Sequence, residues 1–121
     1  MTRVKRSVHA RKKRRATLER TKGMRGEAHS SYRRAKEALL KADSYAYRDR
    51  RNRKRDFRRL WITRINAAAR QEGMSYSQFM HGMKLAGVEL DRKVLADLAV
   101  HDADAFRRFA QRAREASSAA T

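Results

Sequence analysis

The chain has 121 residues, no cysteine and a formal net charge of +19. This length predicts a single domain with an arm, and without cysteine it can hold neither a disulfide framework nor a thiolate metal site. Because no apolar run approaches the roughly 20 residues that cross a bilayer, and the basic N-terminus lacks the apolar segment of a secretory signal, we expect a cytoplasmic protein.

The charge is unevenly placed along the chain. Residues 1–60 hold 23 Arg or Lys and six Asp or Glu, a net charge of +17, whereas residues 61–121 hold nine and seven, a net charge of +2. A segment this positive repels itself unless an anionic partner neutralises it. The asymmetry favours nucleic acid or an anionic surface as the partner. We therefore predict a basic arm over residues 1–59 and a small globular domain over residues 60–121.

The first predicted elements are a tail and a helix. Residues 1–6 are charged and aperiodic, which is typical of a tail that orders only on binding. Ser7 is expected to cap a helix that runs to about Lys22, with Gly23 as its C′ residue. The turn at residues 23–26 has the GXXG spacing with which KH domains clamp a nucleotide backbone. KH domains need strands around that loop, and no strand pattern surrounds it here, so we interpret it as a plain turn.

A very long helix is predicted next, because residues 27–72 contain neither Gly nor Pro. Ser30 or Ser31 can cap its start and Gly73 can end it. About 40 residues at about 1.5 Å per residue give a length of roughly 60 Å. A seam too short for a stable coiled coil is expected to pack on the first helix or on RNA. The seam residues are Tyr32, Ala35, Leu39, Ala42 and Ala46.

Within that helix, acid-to-base pairs at i,i+4 spacing are expected to support helix formation. They are Glu37 with Lys41 and Asp49 with Arg53. Further on, residues 48–59 hold eight Arg or Lys against two Asp. On a 3.6-residue period these cations point in nearly every direction, whereas a surface helix of a globule keeps an apolar face. A polyanion around the helix would explain the pattern, and Arg suits phosphate because its planar fork binds it bidentately.

From Phe57 onward the pattern becomes that of ordinary amphipathic helices. The predicted inward stripe of the long helix is Phe57, Leu60, Trp61, Ile65 and Ala68. Ser75 with Gln78 forms a capping box before a helix that ends at Gly87 and turns Tyr76, Phe79, Met80 and Met83 inward. Trp61 is expected to anchor the core.

Two more short helices are predicted after it. Asp91 can cap a helix that turns Val94, Leu95 and Leu98 inward, and Asp102 or Asp104 can cap another. That last helix would bury Phe106, Phe109, Ala110 and Ala113, and residues 117–121 are expected to be frayed. The predicted fold class is all-α: an extended N-terminal helical arm with one very long helix, followed by a small C-terminal helical bundle.

Three other function classes compete with binding to folded RNA. The four histidines, His9, His29, His81 and His101, are scattered without ligand spacing, so we predict no enzyme, no metal site and no cofactor. A membrane-surface helix needs a broad apolar face opposite its cations, which the basic stretch lacks. Duplex DNA binding by a nucleoid-type protein is the alternative, although a DNA reader usually concentrates its charge on one side whereas folded RNA can enclose a helix.

Several runs of residues carry a resemblance. They are YAYRDRR at 45–51, RKR at 53–55, FR at 57–58, LWI at 60–62 and RINAAAR at 64–70, with RVKR at 3–6 and LDRKVLADLA at 90–99. Over nearly the whole chain this pattern resembles the bacterial ribosomal large-subunit protein twenty family. One departure is the turn: the family commonly carries an aromatic residue beside its two glycines, whereas this chain has Met24 and Arg25.

The resemblance implies a structural constituent of the large ribosomal subunit. Such proteins thread a helical arm into large-subunit ribosomal RNA, place a small helical domain on the same RNA, act early in assembly and lie near other large-subunit proteins. In some bacteria the C-terminal domain also represses translation of its own message, so the chain's own mRNA is a further implied partner. No membrane and no small-molecule substrate is implied.

Arginines, lysines and three tyrosines on which unpaired bases could stack form the predicted rRNA-binding set. It comprises Arg3, Lys5, Arg6, Arg11, Lys12, Lys13, Arg14, Arg15, Arg20, Lys22, Arg25, Tyr32, Arg33, Arg34, Tyr45, Tyr47, Arg48, Arg50, Arg51, Arg53, Lys54, Arg55, Arg58, Arg59, Arg64, Arg70, Lys84, Arg92 and Lys93.

Overall fold

The structure, a computed structural model, describes residue 3 and residues 5–121, so the predicted tail at 1–6 lies partly outside the described residues. Helices follow one another in the order α1 (Arg6–Arg20), a 3₁₀ turn (Gly26–His29), α2 (Tyr32–Gln71), α3 (Tyr76–Leu85), α4 (Arg92–His101) and α5 (Ala103–Ala119). Across the described residues there is no strand. The predicted fold class, with one very long helix and a C-terminal helical cluster, is confirmed.

The chain forms two compact units, Met1–Arg51 and Asn52–Thr121. The predicted division at residues 59 and 60 concerns how the chain binds its partner, and it stays a prediction.

In the first unit α1 begins earlier than expected. The helix starts at Arg6 with Lys5 in the cap position, and no side chain caps it. Ser7 therefore lies inside the helix, and its prediction as the cap was wrong. Arg has a higher helix propensity than Ser. A helix that starts at Arg6 is therefore favoured over one that starts after a Ser7 cap. The helix ends at Arg20 with Thr21 as its C-cap, so Gly23 is not the predicted C′ residue. A turn does follow, and Gly23 adopts a φ of 87° in it, which favours glycine.

Two of the five seam residues on the first part of α2 are buried within this unit, and the other three are half-buried. Ala35 is fully buried and Leu39 is 9 % exposed. Two side chains of α1 reach α2: the Arg14 guanidinium lies over the Tyr32 ring at 5.7 Å, and Arg20 Nη2 lies 2.6 Å from Asp43 Oδ1. Packing of the seam on the first helix, one of the two predicted alternatives, thus has contacts to support it.

The end of α2 is closed by a glycine turn and by a side chain from α5. Gly73 has a φ of 75°, and the Met74 N–H donates to the Ala69 carbonyl at 2.9 Å, the hydrogen bond of a Schellman motif. Arg114 donates to the Glu72 carbonyl. A cation at a helix C-terminus is favourable because the unpaired carbonyls carry partial negative charge. The predicted stop at Gly73 is confirmed.

All three predicted caps of the short helices are present. Ser75 and Gln78 form a reciprocal capping box, with bonds of 3.0 and 3.3 Å. Asp91 accepts a hydrogen bond from the backbone N–H three residues later at 2.8 Å. Asp102 does the same for α5 at 3.0 Å, while Asp104 lies in the first turn. The structure therefore decides between the two candidates for α5 in favour of Asp102.

The core of the second unit is a single cluster drawn from α2, α3, α4 and α5. At its centre the Phe79 and Phe106 rings stack with centroids 4.9 Å apart, and Trp61 packs against the cluster while half-buried. Its buried members are Ile65, Ala69, Met74, Phe79, Met83, Leu95, Ala96, Phe106, Ala110 and Ala113.

Three predicted inward positions are corrected by this core. Phe57 and Leu60 of α2 are 49 % and 41 % exposed, and Val94 of α4 is 42 % exposed. The α2 stripe has the right period, but the cluster covers it only from Trp61 onward. On α4, Ala96 takes the buried position beside Leu95, which turns Val94 toward solvent. Residues 117–119, expected to be frayed, are the last turn of α5.

Candidate nucleic-acid interface

The predicted contact residues lie on the surface. All of the arginines and lysines in the predicted set are exposed except Arg92, which is half-buried, as is Tyr32. Tyr45 and Tyr47 are 45 % and 56 % exposed. The side chains are therefore available to a partner.

The cation-rich part of α2 carries more positive charge than its own acids can pair. Asp49 Oδ1 lies 3.0 Å from Arg48 Nε, and Asp56 Oδ1 lies 3.9 Å from Arg59 Nη1. Among the described residues, no acidic group lies within 4.0 Å of the other six cations in this stretch. Those six are Arg50, Arg51, Arg53, Lys54, Arg55 and Arg58.

The predicted i,i+4 pairs are replaced by others. Glu37 pairs with Arg33 at 3.9 Å and with Arg34 at 3.6 Å instead of Lys41, and Asp49 pairs with its neighbour Arg48 instead of Arg53 (as above). Where cations lie on both sides of a carboxylate, side-chain reach and rotamer choose between them, and sequence spacing alone does not. Exposed ion pairs typically contribute only about 0.2–1 kcal/mol.

Two tyrosines on α2 are held by cations. The Arg51 guanidinium carbon lies 4.3 Å from the Tyr47 ring centroid, and Arg51 Nη2 donates to Tyr47 Oη at 2.7 Å. Over the Tyr45 ring lie Arg48 at 4.7 Å and Lys41 at 5.8 Å. Lys41 was not among the predicted contact residues. Its i−4 spacing from Tyr45, which places both on one helix face, was the signal that could have found it.

An open cleft in the first unit gathers charges of both signs. Arg25, Arg34 and Lys41 line a volume of about 520 Å³ together with Glu27 and Glu37. Arg34 lies 4.0 Å from Glu27, so part of this charge is already neutralised. Arg25 belongs to the turn where the family resemblance departs, and it lines this cleft.

In the second unit a groove between α3 and α4 is lined by both apolar and cationic side chains. Met80, Met83, Lys84 and Arg92 are among them, and its volume is about 530 Å³. Arg92 Nε donates to Tyr76 Oη at 2.9 Å, which explains why Arg92 is half-buried. The predicted outer contacts Arg64, Arg70 and Lys93 are exposed elsewhere on the unit.

Residue 3 and residues 5–121 hold no group of three His, Cys, Asp or Glu side chains that could bind a metal ion. No helix in that part combines the length and the hydropathy that spanning a bilayer requires.

Fold and surface together define a class: an all-α, strongly cationic protein whose basic side chains are almost all exposed. The sequence model of the family described as Ribosomal protein L20 matches residues 3–109. The chain belongs to this family, which confirms the resemblance. Members of the family are structural proteins and not enzymes.

Individual relatives are similar over nearly their whole length. The large ribosomal subunit protein bL20 of Roseiflexus sp. (strain RS-1) is 60% identical over 116 residues, which cover 96% of this chain and 99% of that protein. Its namesake in Rubrobacter xylanophilus is 59% identical over 116 residues, 96% of this chain and 87% of that one. The Roseiflexus castenholzii protein of the same name is 60% identical over 115 residues, 95% and 98%.

Proposed function

We propose that this chain is a structural constituent of the large ribosomal subunit in the cytoplasm. It binds large-subunit ribosomal RNA through the basic arm at residues 1–59 and through the helical domain at residues 60–121, and it supports assembly of the subunit. Neighbouring large-subunit proteins are its other partners. The names of its relatives, which are large ribosomal subunit proteins, support this proposal.

The observation that carries the proposal is the exposed charge on α2. The eight cations of residues 48–59 are all exposed, and at about 100° per residue they are distributed around the helix. A flat anionic surface or one groove of duplex DNA would meet only part of them. Folded RNA can surround a helix with phosphates from several segments.

The mechanism combines neutralisation of charge between the helix and RNA phosphates with recognition of RNA shape by the C-terminal domain. Phosphates supply the counter-charge that lets a self-repelling helix lie among converging RNA strands, since Arg binds phosphate through paired N–H donors. In return the helix reduces the repulsion between those RNA segments and holds them in one mutual orientation. The C-terminal domain recognises an RNA junction through its shape and phosphates, and so sets the register of the arm.

Binding to the chain's own message is a finer part of the same proposal. A messenger that folds like the ribosomal junction would present the same phosphate positions to the C-terminal domain. Binding there would block translation when free protein exceeds free ribosomal RNA.

The test is the salt dependence of binding to deproteinised large-subunit ribosomal RNA. Log affinity should fall with log salt by roughly 0.7–0.9 per phosphate neutralised. Replacing Arg53 and Arg55 with Gln should lower that slope by about 1.5. The matched control replaces Arg108 and Arg112, which are exposed on α5 and outside the proposed contact set, and should leave the slope unchanged.

Competitors complete the experiment. Duplex DNA at equal nucleotide concentration should not displace the ribosomal RNA, whereas the chain's own messenger leader should. Equal displacement by DNA would favour the nucleoid-type alternative. If the slope of log affinity against log salt does not change when Arg53 and Arg55 are replaced, the arm is not the source of the affinity.

A further inference from the structure

The most exposed aromatic ring on α2 is held from one side only. Tyr47 is 56 % exposed, the Arg51 guanidinium lies over its ring at 4.3 Å, and the same guanidinium donates to its hydroxyl at 2.7 Å. In the described part of the chain no second cation lies over this ring. The ring is therefore oriented on one side and open on the other.

The ring of Tyr45, two residues earlier, has different surroundings. Lys41 and Arg48 both lie over it, at 5.8 and 4.7 Å from its centroid, so two cations compete with a stacking partner for this ring. Two residues correspond to about 200° on a helix, so the two rings point to nearly opposite sides of α2. Tyr45 thus holds two cations that can bind phosphate, whereas Tyr47 has an exposed aromatic face.

We propose that the open face of Tyr47 stacks on one unpaired nucleobase of RNA while Arg51 holds the ring and contacts the neighbouring phosphate. This inference rests on the proposed function and names a contact within it. Every base has a flat π face that can stack on an aromatic side chain. A paired base inside a duplex keeps both faces covered by its neighbours, so the partner is an unpaired nucleotide of a loop or bulge.

The surroundings favour a nucleotide over an apolar protein partner. Arg50 and Arg51, two of the cations without an acidic group within 4.0 Å in the described part of the chain, are exposed within four residues of Tyr47. An apolar protein surface that covered the ring would also have to remove these two charges from water without pairing them, which is costly. A nucleotide places a base on the ring and phosphates beside the cations, so it satisfies both groups at once.

The experiment measures binding of the full chain to deproteinised large-subunit ribosomal RNA over a series of salt concentrations. Tyr47→Leu removes the ring and keeps the charge, so affinity should fall by about 5- to 150-fold at every salt concentration with the same salt slope. Tyr47→Phe keeps the ring and should retain most of the affinity. Arg51→Gln should lower both the affinity and the slope, the latter by about 0.7.

Two matched variants act as controls. Leu40 is 65 % exposed and lies seven residues before Tyr47, so it is on nearly the same side of α2. Leu40→Ala should change affinity far less than Tyr47→Leu. Tyr45→Leu should also have the smaller effect, because two cations already cover that ring.

The outcomes separate this inference from the proposed function. If Tyr47→Leu binds as tightly as the unsubstituted chain, or changes the salt slope as Arg51→Gln does, stacking is refuted while RNA binding stands. If the unsubstituted chain shows no preference for ribosomal RNA, both proposals fail. Far-UV circular dichroism of each variant should match the unsubstituted chain, since these side chains are exposed.

Discussion

At the scale of single residues, the absence of a side chain at one glycine permits two helices of the C-terminal core to pack closely. Gly82 on α3 is buried against Ala113 on α5. A Cβ added at Gly82 would lie 2.8 Å from the Ala113 carbonyl carbon and closer still to its oxygen. Such a contact with backbone atoms forces the helices apart. The close approach of α3 and α5 therefore depends on glycine at this position.

We expect Gly82→Ala to lower the free energy of unfolding by about 1–2 kcal/mol, because an overpacking cost of about 1–3 kcal/mol exceeds a helix-propensity gain of at most about 1 kcal/mol. Urea denaturation followed by circular dichroism measures the change. Ser77→Ala, at an exposed position of the same helix, should stay within about 0.5 kcal/mol. A Gly82→Ala protein as stable as the Ser77→Ala protein would contradict the close packing.

At the scale of elements, α2 changes character along its length. Its first part buries Ala35 and Leu39 within the first unit, its middle is charged and exposed, and its last part joins the core of the second unit. Ile65 is fully buried there, whereas Leu60 of the same stripe remains 41 % exposed. The helix is therefore only partly an amphipathic core helix, and the change occurs at Trp61.

Truncation along this stripe tests where the core begins. Ile65→Ala should destabilise the protein by about 2–5 kcal/mol, because it leaves a cavity in the cluster. Leu60→Ala should cost less than about 1 kcal/mol, since much of that side chain already contacts water. The measurement is again urea unfolding. Similar losses at both positions would mean that the core extends further along α2 than the structure shows.

At the scale of the whole molecule, the two units differ in how they balance charge against burial. Residues 1–51 hold 18 basic and five acidic residues, a net charge of +13, and residues 52–121 hold 14 and eight, a net charge of +6. The described residues of the first unit bury few side chains, among them Thr21, Ala35 and Leu39, whereas the second has a ten-residue core. The first unit therefore depends more on counter-charge.

Separate fragments should show this dependence. Residues 52–121 are expected to be helical alone and to unfold cooperatively on heating, because their core is complete. Residues 1–51 should gain helix when ribosomal RNA is added, since phosphates relieve their self-repulsion. Circular dichroism measures both, with added NaCl as the control for simple screening. Equal helix content in fragment 1–51 with and without RNA would contradict the proposed dependence.

Much of this protein could be predicted from its sequence because the signals are local. Residues 27–72 contain no helix breaker, Gly73 ends the long helix, and Ser75, Asp91 and Asp102 cap the next three, since capping needs only a side chain and the nearby backbone. Exposure of the arginines on α2 could also be predicted, because a small core cannot bury so many charges. The family followed from runs of residues that the sequence displays directly.

Other features depended on contacts between distant residues. Periodicity predicted the stripe from Phe57 to Ala68, but only the packing of α3, α4 and α5 decided that burial starts at Trp61. The same packing buried Ala96 and left Val94 in water. Sequence spacing could not choose Arg33 and Arg34 over Lys41 for Glu37, nor show that Arg51 holds Tyr47 from one side. Local chemistry determines where helices begin and end, whereas burial and side-chain pairing are decided by what the fold places next to each residue.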